Sequence, residues 1–243
     1  CILTNLPLED RDNPTSWREL LDKALPALDY AFTADSSYPQ DNKSPDWTLG
    51  GGTAIALRIA HRLSDDVDLF VPSRPLRFFA PANNPAAKAI SSRFQWPGHY
   101  LKYECAGGEI DFLSAHLQTD PGYTLERFRG REIALETLAE VIVKKIRYRS
   151  GSFTSRDIFD LAAVGRVDPT IVKILSQETR DALPRLQTVI AARHAAHPVL
   201  GDEIRPTSKF EDLRIKAYRE ASAIILAALG GRDTIQPKRS IAD

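Results

Sequence analysis

The chain of 243 residues is long enough to bury a full hydrophobic core, and its 32 Lys and Arg balance 32 Asp and Glu, so bulk charge does not mark it as a nucleic-acid binder. Its two cysteines, Cys1 and Cys105, have no spacing that suggests a zinc site or a disulfide framework, and no apolar run approaches the roughly 18 residues of a membrane span. These features argue against a helical membrane protein and a disulfide-stapled domain, and lead us to expect a cytoplasmic protein.

With no methionine, not even an initiator, the recorded chain is expected to have lost its first residues. Asn13-Pro14 reads as a helix opening, and Trp17, Leu20, Leu21, Ala24 and Leu28 keep a helical apolar spacing that Pro26 should kink or divide. Residues 36–45 read as a loop. From Trp47 to Phe70 the pattern is strand, glycine turn, helix, strand. Gly50, Gly51 and Gly52 let the backbone turn sharply, and the backbone N–H groups at the following helix start are suited to phosphate oxygens. Ile55, Ala56, Ile59, Ala60 and Leu63 make the apolar stripe, with Arg58, His61 and Arg62 on other faces. Asp66-Val67-Asp68-Leu69 then alternates, so both carboxylates share one face of a strand. That pair is either a solvated acidic corner or a seat for a hard divalent cation.

Farther on, Asn84-Pro85 looks like the start of a helix to about Arg93, and Arg74, Arg77, Lys88 and Arg93 give the region a positive lean. Two strands, Tyr100 to Glu104 and Glu109 to Leu113, flank a turn at Ala106-Gly107-Gly108. Asp111 lies on the face opposite Ile110 and Phe112, as an edge carboxylate paired with a base or as part of a site. Leu135, Leu138, Ala139, Ile142, Val143 and Ile146 define one long amphipathic helix. It places Lys145 and Arg149 on the flank of the stripe and Lys144 in solvent. Thr154 and Asp157 have capping-box spacing, and Asp157 and Asp160 share a helical face. The remainder reads as helices over 170–183, 184–194 and 208–229, with His194 and His197 at a solvated helix end and a loose tail over 232–243.

The residues Gly51, Gly52, Thr53, Ala54, Arg62, Ser64, Asp66 and Asp68 closely resemble the signature of the polymerase-beta-like nucleotidyltransferases, and within them the AbiEii/AbiGii toxin family, with Ile55 in place of the common leucine. Lys145 and Arg156-Asp157-x-x-Asp160-Leu161 resemble a second element of the same family. The resemblance implies an α/β (α+β) fold: a mixed sheet in a catalytic domain over residues 1–130, and a helical domain over 131–243. It implies Mg²⁺ on Asp66 and Asp68 with Asp111 as the third carboxylate, NTP phosphates held by Gly51, Gly52, Thr53, Ser64 and Lys145, and a general base at Asp111 or Asp157. It further implies a toxin of a bacterial toxin–antitoxin pair, with a cognate antitoxin as partner and an RNA acceptor such as tRNA. Arg127, Arg129, Arg131, Lys144 and Arg147, partly offset by Glu126, Glu132, Glu136 and Glu140, are a candidate RNA surface. A transferase acting on a small molecule such as an antibiotic, and a non-catalytic binding module of the same fold, remain as alternatives.

Overall fold

The computed structural model describes residues 6–33 and 45–230. Cys1, the tail over 232–243 and, apart from Pro45, the loop expected over 36–45 lie outside the described residues. Helix α1 (Trp17–Thr33) buries Trp17, Leu20, Leu21, Ala24 and Leu28 as their spacing requires. It begins at Trp17 rather than at Asn13-Pro14, because Asn13 Nδ2 donates to the Ser64 carbonyl at 3.0 Å and the Asn13 carbonyl accepts from Trp17 Nε1 at 3.2 Å. Pro26 does not divide the helix. Its position is exposed, so the carbonyl one turn back that loses its helical donor can turn to water.

Strand β1 (Thr48–Gly50), helix α2 (Gly51–Ile59) and strand β2 (Val67–Phe70) follow the expected order. Helix α2 stops short of Leu63 because Ala60 is left-handed, with φ 48°. Arg58, His61 and Arg62, off the apolar stripe, are buried against other elements: Arg58 bonds to the Glu136 and Leu135 carbonyls, and His61 and Arg62 to Asp160. The helix expected over 84–93 is a single 3₁₀ turn, Ala86–Ala89. Asn84 starts it by accepting from the Ala87 N–H at 3.1 Å and pins it to α1 by donating to the Ala27 carbonyl at 2.8 Å.

Strands β3 (Phe94–Gln95), β4 (Tyr100–Cys105) and β5 (Gly108–Leu113) form an antiparallel run. Strands β6 (Tyr123–Phe128) and β7 (Arg131–Glu136) form a hairpin. This hairpin replaces the first turns of the long helix expected through Leu135, since Ile133 and Leu135 alternate into the core as strand residues. All seven strands make one mixed sheet in the order β3-β4-β5-β2-β1-β7-β6. Strand β7 begins just beyond residue 130 and lies between β1, to which it is parallel, and the edge strand β6.

Leu69, Val67, Ile110, Phe112, Leu101 and Tyr103 point to one face and are fully buried. Beneath that face, Phe79 stacks on Phe112 with ring centroids 4.8 Å apart, and its carbonyl accepts from the Tyr103 hydroxyl at 2.7 Å. Asp68, Asp111 and Lys102 lie on the other, half-buried face, in register across β2, β5 and β4. Helices α3 (Leu138–Arg149), α4 (Ser155–Val167), α5 (Ile171–Glu178), α6 (Leu183–Ala196) and α7 (Leu213–Gly230) complete the described chain. No helix among the described residues is long and apolar enough to cross a membrane.

Candidate active site

Glycine is required where β1 turns into α2. Gly51 has φ +65°, and a Cβ there would lie 1.8 Å from Asp68 Oδ2, so the backbone passes directly against the carboxylate. Gly51→Ala is expected to cost about 1–2 kcal/mol for the left-handed backbone alone. It should also push Asp68 aside, and urea melts of the variant beside the parent would register the combined loss. At Gly52 a Cβ would lie 2.4 Å from Arg62 Nη2. Thr53 is buried, its hydroxyl bonded to the Asp66 carbonyl and 3.0 Å from Ser64 Oγ. The Ser64 carbonyl takes Asn13 Nδ2 and, at 2.7 Å, the Thr15 hydroxyl. Thr53 and Ser64 thus hold the chain that leads into Asp66.

Asp68 and Asp111 are direct neighbours on parallel strands β2 and β5. Asp66 precedes them on the same face, and its Oδ1 accepts from the Glu109 N–H at 3.1 Å. Asp111 Oδ2 is 3.7 Å from Lys102 Nζ, while Oδ1 is buried without a partner among the described residues. Burial and then the Asp68 charge push the Asp111 carboxyl up to about 7. Burial also raises Asp68, which Arg149 and Lys145 oppose and Asp66 reinforces. Among the described residues no three His, Cys, Asp or Glu side chains are gathered into a ligand cluster; Asp68 and Asp111 are adjacent, and Asp66 is engaged by Glu109.

The second element is a set of ion pairs joined to the glycine turn through Arg62. Lys145 Nζ, on α3, lies 2.8 Å from Asp157 Oδ1 and 2.6 Å from Asp160 Oδ2 on α4. Arg149 Nη2 reaches the same Asp157 Oδ1 at 2.6 Å. Asp157 Oδ2 closes the expected capping box, accepting from the Thr154 N–H at 2.9 Å and the Thr154 hydroxyl at 2.8 Å. Asp160 is fully buried and also takes Arg62 Nε at 2.8 Å and His61 Nε2 at 2.7 Å. Burial alone would raise the Asp160 carboxyl, but Arg62, Lys145 and His61 hold it well below the usual range. The sequence placed Asp160 beside Asp157 and in one element with Lys145, but carried no sign of its other partners, Arg62 and His61, because they lie nearly a hundred residues earlier.

Lys144 is buried rather than solvated. Its ammonium lies 2.5 Å from Glu136 and 3.1 Å from Glu140, both buried, and 3.8 Å from the centroid of the Phe70 ring. It therefore drops out of the basic surface expected for RNA, and Glu136 and Glu140 are not surface acids. Arg129, Arg131 and Arg147 of that surface pair with Asp22, Asp29 and Glu178.

His61 is fully buried; Nε2 donates to Asp160, and Nδ1 has no partner among the described residues. Burial holds its pKa down to about 4 against the pull of Asp160. The unfolded chain takes up this proton near pH 6.5 and the folded chain only near 4, so stability from this group is full above about 6.5 and is lost as pH falls toward 4. His61→Gln should flatten that part of the pH dependence in urea melts between pH 7 and 4.5. An unchanged slope would mean that His61 does not contribute it.

Residues 35–221 match the AbiEii family, described as the nucleotidyl transferase AbiEii toxin of a type IV toxin–antitoxin system. The chain belongs to that family. No curated protein matches it. Two solved structures from Helicobacter pylori are similar in outline. One is 13% identical with a TM-score of 0.48, covering 87% of this chain and 92% of the other. The other, JHP933, is 12% identical with a TM-score of 0.45, covering 88% and 90%. The AbiEii assignment covers the glycine turn, Asp66, Asp68, Asp111, Lys145 and Asp157 in one match.

Proposed function

We propose that this AbiEii-family protein is a Mg²⁺-dependent, cytoplasmic toxin that transfers NMP from an NTP to an RNA acceptor such as tRNA, and that a cognate antitoxin counters it. The observation that carries this reading is the register of Asp68 with Asp111 directly against the Gly51 turn. The residues fit a hard divalent cation: all the donors are carboxylate oxygens, two on adjacent strands are disfavoured as a bare charged pair, and Asp111 Oδ1 is buried without a partner. Asp66 and Asp68, with Asp111 beside them, would hold Mg²⁺, whose contribution when bound is to neutralise charge on the transferring phosphate.

Gly51 and Gly52 present N–H groups at the start of a nine-residue helix toward phosphate oxygens, and Thr53 and Ser64 keep that turn in shape. Asp111 suits the general base better than Asp157, both of whose oxygens are occupied by Lys145, Arg149 and Thr154. In the reaction the acceptor hydroxyl oxygen bonds the α-phosphorus, its proton passes to Asp111, and the bond to the β-phosphate oxygen breaks to release pyrophosphate. Incubating the protein with total RNA, Mg²⁺ and each α-labelled NTP in turn tests this. Label in RNA that requires Asp66 and Asp68 is expected. Label only in a small molecule would move the acceptor, and growth arrest that survives Asp66→Ala would favour a binding role instead.

A further inference from the structure

Resting on the nucleotidyl-transfer reading, we infer that the β- and γ-phosphates of the nucleotide are gripped by Arg149 and Arg156, and that Lys145 is a positioning residue. Lys145 is buried, and its ammonium is already shared between Asp157 at 2.8 Å and Asp160 at 2.6 Å. Turning it to a phosphate would leave two buried carboxylates without their main counter-charge, which is costly. The two arginines are placed differently. The Arg149 side chain is 45% exposed and hydrogen-bonds through Nη2 to an Asp157 oxygen that Lys145 already neutralises. The Arg156 side chain is 51% exposed and brings Nη1 to 3.9 Å from Asp66 Oδ2.

One guanidinium comes from the end of α3 and the other from the start of α4, and they flank the carboxylates from the side of Asp157. Arg149 is also the foremost positive charge acting on Asp68. A polyanion held at Asp66 and Asp68 therefore meets two planar forks whose donors can turn to it without unburying a charge. Lys145 fixes the positions of α3 and α4 so that these forks face the site.

Calorimetric titration of the full chain with magnesium tripolyphosphate tests this without choosing a base. Arg149→Gln and Arg156→Gln should each weaken binding by about tenfold or more. Arg149→Lys should retain part of the affinity, and Arg219→Gln, an exposed charge on α7, should stay within about twofold. Thermal melts of Arg156→Gln and Arg219→Gln should match the parent, and the two Arg149 variants, which alter a bond to the buried Asp157 that Lys145 still neutralises, should stay folded within a few degrees of it. If Arg149→Gln and Arg156→Gln bind as Arg219→Gln does, while the parent binds tripolyphosphate and labels its acceptor, the arginine assignment is wrong and nucleotidyl transfer stands. A parent that neither binds tripolyphosphate nor transfers nucleotide removes both.

Discussion

Asp160→Ala is expected to lower the unfolding free energy by about 3–5 kcal/mol, the usual result of removing one partner of a buried ionic cluster. The carboxylate is fully buried and faces Lys145, Arg62 and His61 within 2.8 Å. Alanine would leave Arg62 and Lys145 with too little negative charge in a site that water cannot reach. Asp160→Asn keeps one acceptor oxygen for His61 and Arg62 Nε but sets an amide N–H against the other donors and removes the charge, and should lie between alanine and the parent. Urea denaturation at pH 7 reads this directly, and a loss below about 1 kcal/mol for the alanine variant would show that the cluster is not held together at Asp160. Transfer should fall too, because Arg62 backs Gly52 and Lys145 aligns α3 with α4.

The parts of the site that depend on short-range pattern were legible in the sequence. Gly51, the alternation of Asp66 and Asp68, and the opposite faces of Ile110 and Asp111 each follow from backbone period alone, and the structure brings them to one place. Strand β7 was hidden because Leu135 falls at helical spacing from Leu138, Ala139 and Ile142, so a strand residue extended a real helical stripe backward. The correcting signals were local: Arg129-Gly130, both at positive φ, form the hairpin turn, and Thr137 caps α3 by accepting from the Glu140 N–H at 3.1 Å. Lys144 was misplaced for a different reason. A helical wheel shows which residues are opposite the stripe, but Glu136 and Phe70 come from β7 and β2 to cover that side. Asp160 is the clearest limit: the identity of its counter-charges is decided by where α2 ends, and no nearby spacing encodes that.

Asp68→Asn separates a catalytic carboxylate from a structural one. Nucleotide transfer should fall on the order of 10³-fold or more, since the amide cannot share a divalent cation or oppose its charge. Stability should not fall with it. Burial disfavours the Asp68 charge, Asp66 adds repulsion, and the Asp111 carboxyl beside it is raised in part by that same charge; the neutral amide keeps the shape and removes the conflict. Melting in EDTA is therefore expected at the parent temperature or slightly above, in contrast to the loss at Asp160→Asn. Added Mg²⁺ should raise the melting temperature of the parent by preferential binding to the folded chain, and do so much less for the variant. A variant that melts several degrees below the parent in EDTA would mean that Asp68 is held by its neighbours as a structural anion. The carboxylate pair would then lose its standing as the place where the phosphate charge is met.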